Sequence, residues 1–482
     1  MDDNFQDVFS SSVSYFANKM AEYTVNNFRL SPQGKQTGVQ AGDICTFILP
    51  SNSLVNLDSF EVHFNAGCTG VNTRLPADIS SLIQQVDVFI GGSQVGASHP
   101  YYNALCAMVG AVSYKRGNSV AGHPEIIREQ SESGVAPIAV PDPEGFVGAT
   151  ALSGSMFNTD SQAPYSITKW MGFLGSVQPR IIDTSLLGTI EVRLTFAPNS
   201  VLTSSANTTK PVDALILAAG ATRVAANFTS PLASAGTGSY EVKNLSATVD
   251  CCSFPGGVYD QLLARELSSS GLHLPFKNYF AQNQSHAGSS SFSVSTQSLD
   301  RVWVAFRSTA NLTISATVPE YKSYLTQNSP IVVPGYLGGA AVSRHSSTQE
   351  KYTSAPFCFC NLGVNNTISL NINNAQMPQY QLPFAQLPAY TACNLPGDSY
   401  LPSDMTMAEF NGVANIFCTR LNVPGSEYRR EISGLDTRSS SILMKCNTVG
   451  QLYPGASFDS LVFMECTSTL VVQPGRQSAV IQ

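Results

Sequence analysis

The feature that most constrains this chain is an alternation of apolar and polar residues with a period of two. The clearest run is 190–196, whose apolar members are Ile190, Val192, Leu194 and Phe196. Successive side chains of a strand point to opposite faces, so this run predicts a strand with one buried face. Similar runs occur at 44–49, 59–64, 301–307 and 367–372. Because 36 Gly and 27 Pro separate such short runs, the sequence predicts an all-β fold.

Residues 42–96 show the local order that the rest of the chain repeats. Two strands are followed by a short helix that starts near Pro76 and carries Ile79, Leu82 and Ile83 on one face. A strand at 86–90 then runs into a turn at Gly91-Gly92. A second helix is predicted to begin at His99-Pro100, with Tyr102, Leu105, Met108 and Val109 as its apolar side.

The same order returns after a helix-like linker at 254–271, which we take as a domain boundary. The predicted organisation is an N-terminal arm over 1–30, a first β-sandwich over 31–255 and a second over 256–482. Segments 114–180 and 198–238 are rich in Gly, Pro, Ser and Thr, and we expect them to be long surface loops.

The N-terminal segment has a different period from the rest of the chain. Its apolar residues recur at spacings of three and four and so predict one helical stripe, formed by Phe5, Phe9, Val13, Phe16 and Met20. The segment is either a terminal helix packed on its own domain or an arm that docks on a neighbouring subunit, a minor protein or an internal membrane. The opposite face carries one Lys, which favours a protein over an anionic membrane.

Charge and cysteine usage narrow the classes of function. Charged residues are 12% of the chain and the net charge is −7, which argues against sequence-independent binding to nucleic acid. The sequence shows neither a secretory signal nor an apolar run long enough to span a bilayer. The eleven cysteines are an odd number and fall mostly in strand-like runs, so we expect small hydrophobic side chains rather than disulfides.

The motifs of common enzymes are missing from the sequence. It has no Gly-x-x-x-x-Gly-Lys-Ser/Thr loop and no Gly-x-Ser-x-Gly elbow. Gly91–Gly96 follows a strand without opening a helix, which indicates a hairpin turn rather than a phosphate cradle. Cys358 and Cys360 share one strand face, where a core position is the better interpretation than a metal site. We therefore predict no catalytic residue, no metal and no cofactor.

Several blocks of the chain resemble double jelly-roll major capsid proteins of virophages, polinton-like viruses and nucleocytoplasmic large DNA viruses. The first blocks are GDICTFILPSNSLVNLDSFEVHF, LPADISSLIQQVDVFIGGSQVG and PYYNALCAMV. Later blocks are LLGTIEVRLTFAPNSVL, residues 299–307, REISGLDTRSSSILMKC and FMECTSTLVVQPGRQSAVIQ. The likeness spans most of the chain in order and consists of hydrophobic patterns.

This resemblance implies two consecutive eight-stranded jelly-roll sandwiches with long loop insertions. It also implies homotrimers that form pseudo-hexagonal capsomers and tile an icosahedral shell around a double-stranded DNA genome. Such a protein is assembled inside the host cell, resides in the virion, and contacts its own copies and minor capsid or penton proteins. Two other classes remain open: a spike, penton or receptor-binding virion protein, and a secreted carbohydrate-active β-sandwich enzyme. The two similar halves argue against the former, and the missing signal peptide argues against the latter.

Overall fold

The computed structural model describes fourteen stretches of the chain, and all structural statements below concern them. These stretches are 24–69, 73–74, 79–113, 163–204, 239–253, 271–308, 359, 366–373, 375–395, 415–423, 432–438, 444–449, 458–473 and 477–481.

Residues 24–253 form the first sandwich, which consists of two antiparallel sheets. Sheet 1 contains β1 (Thr24–Leu30), β3 (Leu54–Thr69), β7 (Ala163–Ile167), β8 (Ile181–Asp183) and β11 (Ser239–Ser253). Sheet 2 contains β2 (Ile44–Ile48), β5 (Ile83–Ile90), β6 (Ser93–Val95) and β9 (Ile190–Phe196). The two-residue strands β4 (Thr73–Arg74) and β10 (Thr203–Ser204) pair separately.

Residues 272–481 form the second sandwich in the same way. Sheet 3 contains β12 (Leu272–His286), β14 (Leu299–Ser308), β17 (Ile416–Arg420), β19 (Phe458–Gln473) and β20 (Gln477–Ile481). Sheet 4 contains β13 (Ser289–Phe292), β15 (Thr367–Ile372), β16 (Ala375–Pro383) and β18 (Met444–Val449).

The two sandwiches have the same strand order. Each half has eight main strands when β4, β8, β10 and β20 are left out. Sheet 1 runs β1-β11-β3-β7 and sheet 3 runs β12-β19-β14-β17, and both orders are first, eighth, third and sixth. Sheets 2 and 4 run β2-β9-β5-β6 and β13-β18-β15-β16, which is second, seventh, fourth and fifth. Two stacked sheets joined in this order are a jelly roll. The chain is therefore a double jelly roll.

The buried residues lie where the period-two pattern places them. Val192 and Leu194 of β9 are fully buried, as are Phe60 and Val62 of β3. The rings of Phe47 and Phe60 meet edge to face at 6.4 Å between sheets 2 and 1. In the second half, Val302, Val304 and Phe306 of β14 face Ile368 and Leu370 of β15 in a separate core. The predicted one-face-buried strands are confirmed at these positions.

Short helices connect the strands. They are α1 (Tyr102–Ser113), α2 (Phe173–Ser176), α3 (Thr184–Leu187), α4 (Leu387–Asn394) and 3-10 turns at Ile79–Leu82, Asn199–Val201 and Phe384–Gln386. The helix predicted from His99-Pro100 is confirmed as α1, which begins at Tyr102. The start of the helix predicted from Pro76 lies outside the described residues, and its C-terminal part is a 3-10 turn that ends at Leu82, because Ile83 already pairs with Phe196 as the first residue of β5. The Gly91-Gly92 turn is confirmed, with φ of 56° and 83°.

The N-terminal arm needs a correction at its C-terminal end. Residues 24–30 were assigned to the arm, but they form β1 and pair with β11 from Thr24↔Ser253 to Leu30↔Ala247. Residues 1–23, with the stripe Phe5, Phe9, Val13, Phe16 and Met20, lie outside the described residues, as does the linker at 254–270. Most of the segments 114–180 and 198–238 lies outside them too; the parts described include β7 and the buried residues Val201 and Leu202.

Candidate functional site

The largest feature beyond the two sandwich cores is the contact between them, which we call the junction. Sheet 3 is buried on both faces: Val462 and Met464 of β19 face sheet 4, whereas Leu461 and Phe463 join the core of the first sandwich. Trp303 of β14, exposed by only 1%, belongs to this shared core. Because one continuous core includes residues of both halves, the hydrophobic contact resists relative movement of the sandwiches.

Aromatic rings and hydrogen bonds cross the junction in several places. Phe173 of α2 meets Phe276 of β12 edge to face, with 5.2 Å between ring centroids. The Ala97 N–H donates to Asn278 Oδ1 at 2.8 Å. The Lys277 N–H donates to Ser176 Oγ at 2.8 Å, and the Gln178 N–H donates to the Pro275 carbonyl at 2.9 Å. Residues 176–178 thus cover part of the outer edge of β12, which would otherwise offer free backbone groups.

Two buried ion pairs lie in sheet 3. Arg301 Nη1 is 3.0 Å from Glu465 Oε1, and Trp303 Nε1 donates to Glu465 Oε2 at 3.1 Å. Lys277 Nζ is 2.6 Å from Asp300 Oδ2, which also accepts from Thr467 Oγ1 at 2.6 Å. Both pairs carry extra hydrogen bonds, which is the condition under which burying opposite charges is tolerated.

Two histidines are held in the neutral form. Burial lowers the pKa of His99 from 6.5 to about 4, with a smaller opposing effect from the charge of Asp87. Burial also lowers the pKa of His286 from 6.5 to about 4. His99 lies at the junction, with its ring 5.8 Å from the ring of Phe463, whereas His286 packs on Phe306 at 4.7 Å within the second sandwich.

The outer surfaces of the first sandwich differ in character. On sheet 2, the Arg193 guanidinium lies 4.1 Å from the centre of the Phe89 ring, and Ile44 is 59% exposed. On sheet 1, His63 Nδ1 lies 2.7 Å from Ser166 Oγ, and His63 Nε2 lies 2.8 Å from Thr248 Oγ1. This serine and histidine occupy the open face of a sheet rather than a cleft, so the arrangement is that of a surface hydrogen-bond network.

Most of the described cysteines behave as apolar core residues, whereas Cys393 is exposed. Cys45, Cys418, Cys446 and Cys466 are fully buried and unpaired, as the sequence predicted. Burial raises the pKa of Cys45 to about 11 and that of Cys446 to about 12, so neither thiol is an activated nucleophile at neutral pH. Cys358 and Cys360 lie outside the described residues. In the part of the chain that the structure describes, no cluster of three or more His, Cys, Asp or Glu could hold a metal ion.

The first sandwich also contains a cavity of about 350 Å³ beside α1. Its apolar wall includes Leu57, Val109 and Trp170, and Arg180 lines it while paired with Asp58. Arg180 also donates to the Leu174 and Val177 carbonyls, so this cation is fully engaged in holding the chain around α2. Among the helices of the described stretches, none has the length and apolarity to cross a membrane.

The sequence predicted the strands of the junction but not the junction itself. The sequence signal that could have revealed it is the continuous apolar run LVFM at 461–464 of β19, a strand that is buried at nearly every position. A strand covered on both faces loses its period-two pattern and reads as a continuous apolar run. The assembly-arm residues cannot be placed relative to any of these surfaces, because they lie outside the described residues.

Comparison with known proteins supports the fold by structure and not by sequence. No protein-family model and no curated protein matches the sequence. Among solved structures, PBCV-1 VP54 fitted into the virophage Sputnik reconstruction matches with a TM-score of 0.57 and 10% identity, covering 96% of this chain and 97% of that one. The Faustovirus major capsid protein matches with a TM-score of 0.56 and 10% identity, covering 94% and 91%. The PBCV-1 capsid model matches with a TM-score of 0.52 and 9% identity, covering 96% and 97%.

Proposed function

We propose that this double jelly-roll chain is the major capsid protein of an icosahedral double-stranded DNA virus. The observation that carries the proposal is the repeated strand order of the two halves, joined by one continuous core. Solved structures with this fold over nearly the whole of both chains come from viral capsids. Its role is mechanical, through shape-complementary packing in the virion, and requires neither catalysis nor a cofactor.

The assembly unit that we propose is a homotrimer. Two similar sandwiches per chain give six similar units in three copies, and a ring of six units tiles a surface with hexagonal symmetry. Head-to-tail contacts between copies form closed rings when the rotation between neighbours closes. The rigid junction supports this proposal, because a fixed angle between the two sandwiches is needed for the ring to close.

The proposed domain division is an arm, a first jelly roll ending at about 255 and a second beginning at about 256. We place the arm at residues 1–23, since β1 starts at Thr24. We propose that Phe5, Phe9, Val13, Phe16 and Met20 dock on a neighbouring capsomer or on a minor capsid or penton protein. The apolar stripe and the shortage of basic residues support a protein partner over a membrane.

The experiment that tests the function is expression of the full chain followed by mass photometry and negative-stain electron microscopy. We expect particles of three times the 51.4 kDa chain mass with a hexagonal outline, and shells or sheets at higher concentration. A stable monomer at micromolar concentration, with no ordered assembly at any concentration, would contradict the proposal.

A further inference from the structure

We infer that His99 makes the junction a pH-sensitive contact, which is closed while the ring is neutral and opens when the ring is protonated. This inference concerns the single chain and holds whether or not the protein forms a shell. It rests on the hydrogen bond that His99 makes, on the mostly apolar neighbours of the ring at the junction and on the charges nearby.

The hydrogen bond requires a neutral ring. The Tyr101 N–H donates to His99 Nδ1 at 3.3 Å. A backbone N–H can only donate, so Nδ1 must keep its lone pair. The protonated ring carries a hydrogen on Nδ1 as well as on Nε2, which places two donors face to face and removes this bond. The segment between β6 and α1 would then have to move.

The ring is partly buried, and the side of it that faces the junction has mostly apolar neighbours. The ring faces a cavity of about 40 Å³, lined by Val86 and Val88 of β5, Leu105 of α1, Phe173 of α2 and Tyr279 of β12. Such a volume holds roughly one or two water molecules. On the side of the second sandwich the ring packs on Phe463. Protonation would therefore place a charge between two largely apolar surfaces.

The charged groups around the junction compensate one another, so little negative charge is available to stabilise a protonated His99. Asp87 of β5 favours protonation, but its carboxylate already accepts from the Gln85 and Gln94 amides. Tyr102 and Cys106 of α1 and Tyr279 of β12 are neutral, and strand β6 and helix α2 contribute no titratable side chain.

The second sandwich places three cations and three carboxylates near this segment, and their charges balance one another. The Arg307 guanidinium of β14 lies 5.7 Å from the centre of the Tyr101 ring, and its Nε has no hydrogen-bond partner in the described structure. Across the sheet, Asp459 of β19 partly balances Arg307. Lys277 is paired with Asp300 and Glu465 with Arg301, so neither acid is free to stabilise a charged His99.

The direction of the pH effect follows from the lowered pKa of His99. When the junction opens, the ring regains its ordinary pKa of 6.5, whereas in the closed junction the pKa is about 4. The open form therefore binds the proton more tightly, so closure is fully favoured above pH 6.5 and is weakened as the pH falls towards 4. Well below pH 4 the open form gains up to about 300-fold in population relative to neutral pH.

His286 provides a matched control, because its pKa is lowered to the same extent but its partners are different. Its ring nitrogens lie 2.9 Å from Thr448 Oγ1 and 3.4 Å from Ser290 Oγ. Both partners are hydroxyls, which can rotate from donating to accepting when the ring becomes charged. His286 also lies within the second sandwich, so its protonation weakens that sandwich and leaves the junction contacts intact.

The test is hydrogen exchange of the full chain from pH 7 to pH 4, corrected for the intrinsic pH dependence of exchange. The informative peptides contain the Ala97, Gln178 and Lys277 amides, whose hydrogen bonds cross the junction. We expect their protection in the wild type to fall by about 100-fold over this range, because the closed form is itself half protonated at pH 4. His99→Asn keeps an acceptor near the position of Nδ1 without a titratable group, so it should abolish the fall, whereas His286→Asn should retain it.

Two results would overturn the inference: unchanged wild-type protection down to pH 4, or the same fall in His99→Asn as in the wild type. If His99→Asn does not fold, Asp87→Asn answers the question instead. Removing that carboxylate should shift the midpoint of the protection loss to lower pH, since it removes the charge that favours protonation. An unshifted midpoint in Asp87→Asn would then count against His99 as the titrating group.

Discussion

At the residue scale, the molecule is distinguished by charged side chains buried in a sheet that is covered on both faces. Arg301 and Glu465 are almost completely buried, and the indole N–H of Trp303 donates a further hydrogen bond to the carboxylate. Replacing such a pair with apolar residues is often neutral, whereas removing one partner leaves an uncompensated charge. The pair therefore affects stability most when only one of its two members is replaced.

We predict that Glu465→Leu destabilises the protein by about 3–5 kcal/mol, since it leaves the Arg301 charge buried without its carboxylate. The double variant Arg301→Met/Glu465→Leu should recover most of that loss. Urea unfolding followed by the fluorescence of the two tryptophans measures both. A double variant as unstable as Glu465→Leu would show that the apolar replacement fails for reasons of packing rather than charge.

A second residue-scale prediction concerns β9. Leu194→Asp places a carboxylate in the core of the first sandwich, and an unpaired buried charge costs several kcal/mol, comparable with a stability margin of about 5–15 kcal/mol. Thr195→Asp is the matched control, because the adjacent side chain points to the outer face of sheet 2. Leu194→Asp should abolish soluble expression and the cooperative thermal unfolding transition, whereas Thr195→Asp should leave both nearly unchanged.

The sequence predicted the burial of Val192, Leu194 and Phe60 because a strand with one solvent face imposes a period of two on its residues. It could not predict that Glu465 meets Arg301, since the two residues are far apart in the chain and adjacent only through the pairing of β14 with β19. The role of His99 was missed for the same reason. Its partner Phe463 belongs to the other sandwich.

At the element scale, the edge strands determine where backbone N–H and C=O groups remain available for pairing. β12 is an edge strand of sheet 3, and Ser176 from the first sandwich binds its backbone. β1 is an edge strand of sheet 1 whose residues are mostly exposed, including Val25 and Phe28. Among the described residues, the first sandwich therefore covers part of the β12 edge, whereas most of β1 is exposed.

We predict that Ser176→Ala costs about 1–3 kcal/mol, because it leaves the Lys277 N–H without its acceptor in a buried place. The effect should be local, with faster exchange of the Lys277 amide and little change in peptides of sheet 4. Ser289→Ala, at an exposed position of β13, is the control and should alter neither. Equal exchange at Lys277 in both variants would mean that other contacts hold this edge.

Some elements were misread from the sequence because two patterns compete in them. The arm is predicted over 1–30, yet residues 24–30 pair with β11 as a strand, so long-range pairing decides the structure there. Strand β19 shows no simple period of two in its sequence, because it is buried on both faces over most of its 16 residues. Strands β16 and β20 were not predicted.

At the scale of the whole molecule, two jelly rolls with the same strand order are held in one orientation by a shared core. The fold class could be predicted, since it follows from many short alternating runs that repeat in the second half. The angle between the sandwiches could not, because it depends on contacts such as Phe173 with Phe276 that join residues over a hundred positions apart. Yet that angle is what a closed ring of copies requires.

The structure sharpens the test of the proposed assembly arm by locating where the first sandwich begins. Deleting residues 1–23 removes the stripe Phe5, Phe9, Val13, Phe16 and Met20 and leaves β1 intact, so we expect a folded trimer that tiles poorly. Deleting residues 1–30 also removes β1 and exposes the edge of β11, so this variant should lose stability and tend to aggregate. Thermal unfolding, mass photometry and electron microscopy of both truncations separate the two roles. Normal shells from the 1–23 deletion would show that the arm is dispensable for assembly, whereas failure of that deletion to fold would place the arm in the core.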